Sequence, residues 1–272
     1  MASIVLRASH PVPTFAVTTL TLLLSIAFNV PPINTGMIVV AVFFNQIAIG
    51  LSNDIVDVAR DRRAGRTDKP LVSGALSRST SWTLVVAASV LSLVLSFLVD
   101  YRVGLWQAVF LISGFAYNAG LKATVLSAVP YATGFAALPA LVSAGTDPPT
   151  WPGSWVVVVG AILGVSAHFA NVLPDSESDR VEGIRGLPQR VPRQVTAGVL
   201  VTLTAISAGV LIWRSGAAAL WMTLPAGVLA LTASIAAAVL GMRTPVTMLP
   251  FRLSMIAAGL IAVGLVGALR LG

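Results

Sequence analysis

The chain has 272 residues, 56% of them hydrophobic and only 10% charged, with a mean hydropathy of +0.90. An ordinary water-soluble domain, about a quarter of whose residues are charged, is excluded. The absence of cysteine excludes disulfides, thiolate metal centres and cysteine nucleophiles, and two histidines, His10 and His168, are too few for a histidine-built zinc or haem centre. Any resident metal is then held by oxygen, which favours a hard ion such as magnesium. Extended linkers and low-complexity tracts are absent, and a single domain over 1–272 is expected.

In chain order, nine uncharged stretches have roughly the 17–25 residues that cross a bilayer. They are Pro13–Val30, Gly36–Ser52, Ser81–Val99, Val103–Leu121, Ala123–Gly145, Trp155–Leu173, Gln194–Trp213, Ser215–Met242 and Leu253–Leu269. Lipid satisfies no open backbone, so each is expected to be a helix. The first stretch, flanked by Arg7, has the outline of a signal sequence; with eight further spans behind it, an uncleaved first helix is the expectation. If the N-terminus lies inside, 14 of the 17 basic residues fall on the inner side and only Arg102, Arg214 and Arg270 on the outer. This positive-inside split predicts a multi-pass protein of the cell membrane with a cytoplasmic N-terminus. The net charge of +7 is then largely a topology signal and requires no nucleic acid.

Eight of the ten carboxylates fall in two windows, four between 54 and 68 and four between 175 and 182, both on the predicted cytoplasmic face. The windows repeat one another. Asn53, Asp57, Asp61, Arg62 and Gly65 recur as Asn171, Asp175, Asp179, Arg180 and Gly183, offset by 118 residues, and Pro70 and Pro188 keep the offset. A displacement of four helices predicts an all-α bundle of two four-helix repeats, about 13–122 and 123–242, plus a ninth helix at about 250–270.

Residues at i, i+4 and i+8 follow one stripe of a helix. Each window therefore presents an amide and two carboxylates in one direction, and two such stripes facing a common cavity form a bowl of aspartates. Carboxylates so close repel unless cations neutralise them, and magnesium, which takes one or two carboxylates and fills its shell with water and phosphate oxygens, suits the bowl. The neighbouring arginines and Lys69 suit a polyanion bridged by those ions. A solvated loop with helix-capping aspartates explains one window; it does not explain two windows of the same grammar.

The segment NDIVDVARD, carrying Asn53, Asp54, Asp57 and Asp61, resembles the NDxxDxxxD motif of the UbiA superfamily of intramembrane prenyltransferases. Its continuation through Lys69, Pro70, Gly74 and Ser77 is similar to that family's Arg-Pro-x3-Gly-x2-Ser, with lysine for arginine. Asp175 and Asp179 resemble the family's DxxxD, and Tyr117 and Lys122 its Tyr…Leu-Lys segment. The resemblance implies magnesium-dependent transfer of a prenyl group from a polyprenyl diphosphate to a small, aromatic, quinone-precursor-like acceptor, beside membrane lipid. It implies metal binding by Asp54, Asp57, Asp61, Asp175 and Asp179, completed or oriented by Asn53 and Asn171. Lys69, Lys122, Arg66 and Arg62 are then the candidates for phosphate oxygens.

Several residues have two readings. Lys122 sets topology or holds phosphate; Tyr117 is an interface tyrosine or steadies an allylic cation; Arg7 sets topology or touches the diphosphate. His168, seven residues before Asp175, is an ordinary buried histidine or serves the acceptor. Arg180 stands beside the second motif, and Glu177 and Glu182 are expected in solvent. The stretch GIRGLPQR at 183–190 is similar to the naphthoate-type branch, with Gly186 where that branch has threonine. The same ionisation step also serves a terpene cyclase or a sugar-phosphate acceptor. A repeat-built secondary transporter is the reading from another class, and midplane sites would be its mark.

Overall fold

The structure, a computed structural model, describes residues 2–172, 185–243 and 248–271. The described residues form helices and turns, with no strand. A short helix α1 (Ala2–Ala8) precedes nine longer ones: α2 (Pro11–Ala27), α3 (Pro32–Arg63), α4 (Arg78–Val99), α5 (Tyr101–Asn118), α6 (Val129–Ser143), α7 (Ser154–Val172), α8 (Arg193–Arg214), α9 (Leu220–Arg243) and α10 (Leu249–Leu271). Each expected span has its helix. Six of them, α3, α4 and α7 to α10, are long and apolar enough to cross a membrane by themselves, while α2 and α6 are shorter apolar helices.

The starts follow local chemistry. Pro11 and Pro32 open α2 and α3, where the missing N–H costs nothing. Ser77 caps α4 by accepting from the Thr80 amide, and Asp100 caps α5 by accepting from that of Arg102. The expected second span, Gly36–Ser52, is only part of α3, which runs unbroken to Arg63. Nothing between 52 and 63 breaks a helix, and Arg60, Arg62 and Arg63 in its last turn complement the dipole. The first acidic motif therefore rides on a rigid helix.

The helices close a ring in which neighbours in sequence pack together and α10 returns against α2 and α7. The α6–α7 approach is set by two glycines one turn apart. A Cβ at Gly160 would lie 2.6 Å from the Phe135 carbonyl oxygen, and one at Gly164 2.2 Å from that of Tyr131. Side-chain hydrogen bonds tie other seams: Gln107 donates to Ser92 Oγ at 2.8 Å, and Asn118 donates to the Ile49 carbonyl at 2.9 Å and to Ser52 Oγ at 2.7 Å. The outer face is apolar; along α4, Val86, Val90, Val94 and Phe97 are all exposed. Apolar stripes left open along helices of this length match hydrocarbon and would be a liability in water.

Candidate active site

The first motif divides between two faces of α3. A residue advances about 100° round a helix, so Asp61 lies about 80° from Asn53 but only about 20° from Asp54. The side chains obey this arithmetic. Lys122 Nζ donates to Asn53 Oδ1 at 3.2 Å and to Asp57 Oδ1, while Arg60 donates to Asp57 Oδ2 at 3.0 Å. On the other face Lys69 Nζ bridges Asp54 Oδ1 at 2.9 Å and Asp61 Oδ2 at 2.8 Å. The single stripe expected through Asn53, Asp57 and Asp61 is thus two pairs, each with its own lysine, because the i, i+4, i+8 series drifts about 40° per step.

The lysines arrive on turns built for them. After α3, Gly65 takes φ +68, a left-handed conformation that costs glycine little, and the chain doubles back through Arg66 and Lys69. Leu71 and Leu76 pin this return in the core. Gly120, at φ +144, turns the chain out of α5 into the 3-10 turn Leu121–Ala123 that carries Lys122. Burial opposes the charge of Lys69, but the carboxylates of Asp54 and Asp61 outweigh it and hold its ammonium above the ordinary lysine value. For Lys122 burial wins: aided by repulsion from Arg60 and Lys69 and opposed by Asp57, it sets that ammonium below the ordinary value.

Both lysines open on a cavity of about 630 Å³ enclosed by α2, α3, α5, α6, α7 and α10. Its mouth is ionic: Arg7, Arg60, Arg66, Lys69 and Lys122 line it against the carboxylates of Asp54, Asp57 and Asp68. Its interior is apolar, walled by residues such as Leu20, Phe110, Phe135, Leu163 and Ala258. Among the described residues, five basic side chains stand against three acidic ones at the mouth, which suits an anion there, and the interior suits a hydrocarbon attached to it.

Of the residues singled out in the sequence, Asn53, Asp54, Asp57, Lys69, Arg66, Arg7, Tyr117, Lys122 and Asn171 line this cavity. Asp61 does not; it is 1% exposed beside Lys69, with Arg66 at 3.9 Å. Arg62, one residue further round α3, points to solvent and away from the cavity. His168 is fully buried outside the cavity lining, its Nε2 paired with Ser127 Oγ at 2.9 Å and its Nδ1 buried without a hydrogen bond. Tyr117 stands edge-on to Tyr131 at 5.0 Å between ring centroids, and both rings line the cavity with Asn171. Asp175, Glu177, Asp179, Arg180 and Glu182 lie outside the described residues. Among the described residues no three acidic or histidine side chains form a metal-binding group.

Two contributors escaped the sequence. His10 lines the cavity and its Nε2 donates to Asp54 Oδ1 at 3.1 Å. Ser127 ties the Lys122 turn to the segment after the second motif, since its Oγ accepts from the Leu187 amide at 2.8 Å. At Gly186 a Cβ would lie 2.5 Å from the Lys122 carbonyl oxygen, so a threonine there would displace one segment from the other.

The model of the UbiA prenyltransferase family matches residues 12–260. The fold is similar to that of a UbiA homologue from Aeropyrum pernix K1, solved without ligand, at TM-score 0.75 and 17% identity over 93% of this chain and 96% of that one. A UbiA homologue from Archaeoglobus fulgidus, solved with GPP and Mg2+, superimposes at TM-score 0.69 and 16% identity over 97% and 99%. A structure of digeranylgeranylglyceryl phosphate synthase gives 0.68 and 16% over 99% and 98%. No curated protein matches the sequence. With the family model spanning nearly the whole chain, the protein belongs to the UbiA prenyltransferase family.

Proposed function

We propose that the protein transfers a prenyl group from a polyprenyl diphosphate to a small aromatic acceptor, with magnesium as cofactor and pyrophosphate as the other product. The observation that carries this reading is one cavity of about 630 Å³ joining a cationic, carboxylate-bearing mouth to an apolar interior. Its size lies within the range of pockets that enclose a small organic ligand. The Archaeoglobus homologue, solved with GPP and Mg2+, supports the choice of donor and metal.

The donor set fits magnesium. The carboxylates and amides of the two motifs offer oxygen, Asp57 opens on the cavity, and Asp61 Oδ1 is buried without a hydrogen bond. Asp57 and Asn53 from α3, with Asp175 and Asp179 of the second motif, would hold it, and Asp54 and Asp61 complete or orient that set. Bound there, magnesium neutralises charge on the departing diphosphate.

The chain's own residues supply the rest. Lys122 and Arg66 hold diphosphate oxygens, and Lys69 does so when it shares its carboxylates. The prenyl chain lies among Leu20, Phe110, Phe135 and Leu163, where water is excluded. The C–O bond breaks with its electron pair leaving on pyrophosphate, and the faces of Tyr117 and Tyr131 oppose the allylic cation. The acceptor forms the new bond and loses a proton. The same aromatic wall favours a flat acceptor.

The chain acts as one domain of two four-helix repeats, α2–α5 and α6–α9, with α10 as the ninth helix; the 118-residue offset between the two acidic windows supports this arrangement. The basic residues around both motifs support a cytoplasmic mouth in the cell membrane, with lipid around the outer face. Incubating purified protein with a panel of prenyl diphosphates, with and without aromatic acceptors, tests the reading. Magnesium-dependent pyrophosphate release that requires an acceptor is expected; a cyclised hydrocarbon formed without acceptor would replace transfer by cyclisation.

A further inference from the structure

The segment preceding α2 belongs to the cavity mouth, and four observations describe how it is seated. Its backbone lies directly on α3: a Cβ at Gly50 would fall 2.5 Å from the Ser9 carbonyl oxygen and 2.7 Å from the Ser9 Cα. Thr14 Oγ1 donates to that carbonyl at 2.8 Å, fastening it to the first turn of α2. His10 then takes φ +56, a left-handed conformation uncommon for a non-glycine residue. One turn along α3 from Gly50, Asp54 receives the His10 Nε2 at 3.1 Å.

The seat acts on Lys69 from two directions. Asp54 Oδ1 accepts from both His10 and Lys69, so the imidazole takes a share of the carboxylate that otherwise binds the ammonium alone. Arg7 donates to the carbonyl oxygen of Asp68 at 2.9 Å, the residue immediately before Lys69. Ala8 and Ser9, between these contacts, are buried against the bundle. The imidazole remains 41% exposed, on the cavity side.

We propose that Arg7–His10 is a clamp that sets Lys69 for the diphosphate, with His10 as its positioning residue acting through Asp54. Held by two donors, Asp54 keeps one orientation, and Lys69 can turn part of its donor capacity to a phosphate oxygen without stranding the carboxylate. The clamp orders the site before the donor arrives, so it works on donor binding and hardly on the chemical step. Gly50 is part of the device, because only a residue without a Cβ lets the backbone lie so close to α3.

The proposal rests on the prenyl-diphosphate reading for the identity of the anion, and its test separates the two. Affinity for magnesium pyrophosphate is measured by calorimetry, and kcat and KM for the prenyl donor by pyrophosphate release. The proteins are the wild type, His10→Ala, His10→Gln and Gly50→Ala. Residues that orient the ligands of a metal ion typically carry ten- to a hundred-fold in affinity. His10→Ala and Gly50→Ala are each expected to weaken binding about tenfold and raise KM to match, with kcat within about threefold. His10→Gln, which keeps a side-chain N–H donor, is expected to recover most of the loss. Gly50→Ala touches neither His10 nor Asp54 and raises helix propensity, so weakened binding there reports the displaced segment. Unchanged binding in His10→Ala or in Gly50→Ala, or equal weakness in His10→Gln and His10→Ala, overturns the clamp. A wild type that binds magnesium pyrophosphate yet releases none from any donor overturns the transferase reading alone; one that binds neither overturns both.

Discussion

Lys122 and Asp57 form a pair whose two halves are supported unequally, and this predicts an unequal response to mutation. Their side chains are 12% and 6% exposed. Removing the lysine charge with Lys122→Met leaves Asp57 with Arg60 at 3.0 Å and relieves the cost of a buried ammonium, so a loss below about 1 kcal/mol is expected. Removing the carboxylate with Asp57→Ala strands Lys122 with only the Asn53 amide oxygen at 3.2 Å. Breaking a buried pair from one side costs about 3–5 kcal/mol, and the amide contact argues for the lower end. At about 2–4 °C per kcal/mol the two variants should differ in Tm by roughly 4–10 °C, with Asp57→Ala the lower. The double variant, with no stranded charge, should melt above Asp57→Ala. Thermal unfolding followed by tryptophan fluorescence in one detergent measures all three. Equal shifts, or a double variant below Asp57→Ala, would refute the assignment of Asp57 as the shared counter-charge.

Lys122 is held below its unfolded value of 10.5, so in the window between the two the unfolded chain binds more protons and stability rises with pH. Lys69 is raised, so its contribution is complete below 10.5 and is lost only above it. The Tm of the wild type relative to Lys122→Met should therefore climb as pH rises toward 10.5 in the absence of ligand; a flat or falling difference would contradict the burial of that ammonium. Gly186→Thr should lose about 1–3 kcal/mol by overpacking and should lower turnover as well, because the Lys122 turn must move. Thermal melts and pyrophosphate release check this, and a variant indistinguishable from wild type would show that the two segments do not need their close contact.

Much of this molecule is legible in its hydropathy. Nine apolar runs became nine helices, and the polar residues too costly to scatter through lipid marked the mouth of the cavity. The residues of NDIVDVARD, with Lys69 and Lys122, could be singled out because a membrane protein with ten carboxylates leaves few candidates. What was not legible is rotation and distance. A spacing of four shows that two residues are neighbours on a helix, but over eight residues the drift moves Asp61 from the face of Asp57 to that of Asp54. The reach of α3 to Arg63 escaped a hydropathy reading because its last turns are charged yet contain no helix breaker. His10 escaped because nothing in a sequence links positions 10 and 54; the link passes through Gly50, a glycine that reads as ordinary helix packing until the Ser9 backbone is seen against it. Gly186 stood out as a departure from the threonine of the naphthoate-type branch, but its reason, the carbonyl of Lys122, lies 64 residues away.

The most direct test asks whether the two acidic motifs hold one and the same metal–diphosphate unit. Calorimetric affinity for magnesium pyrophosphate, measured for the wild type, Asp57→Asn, Asp175→Asn and the double variant, answers it as a thermodynamic cycle. If both carboxylates serve one cage, either substitution alone removes most of the binding and the second adds little. Losses that simply add would mean that positions 57 and 175 act at separate places.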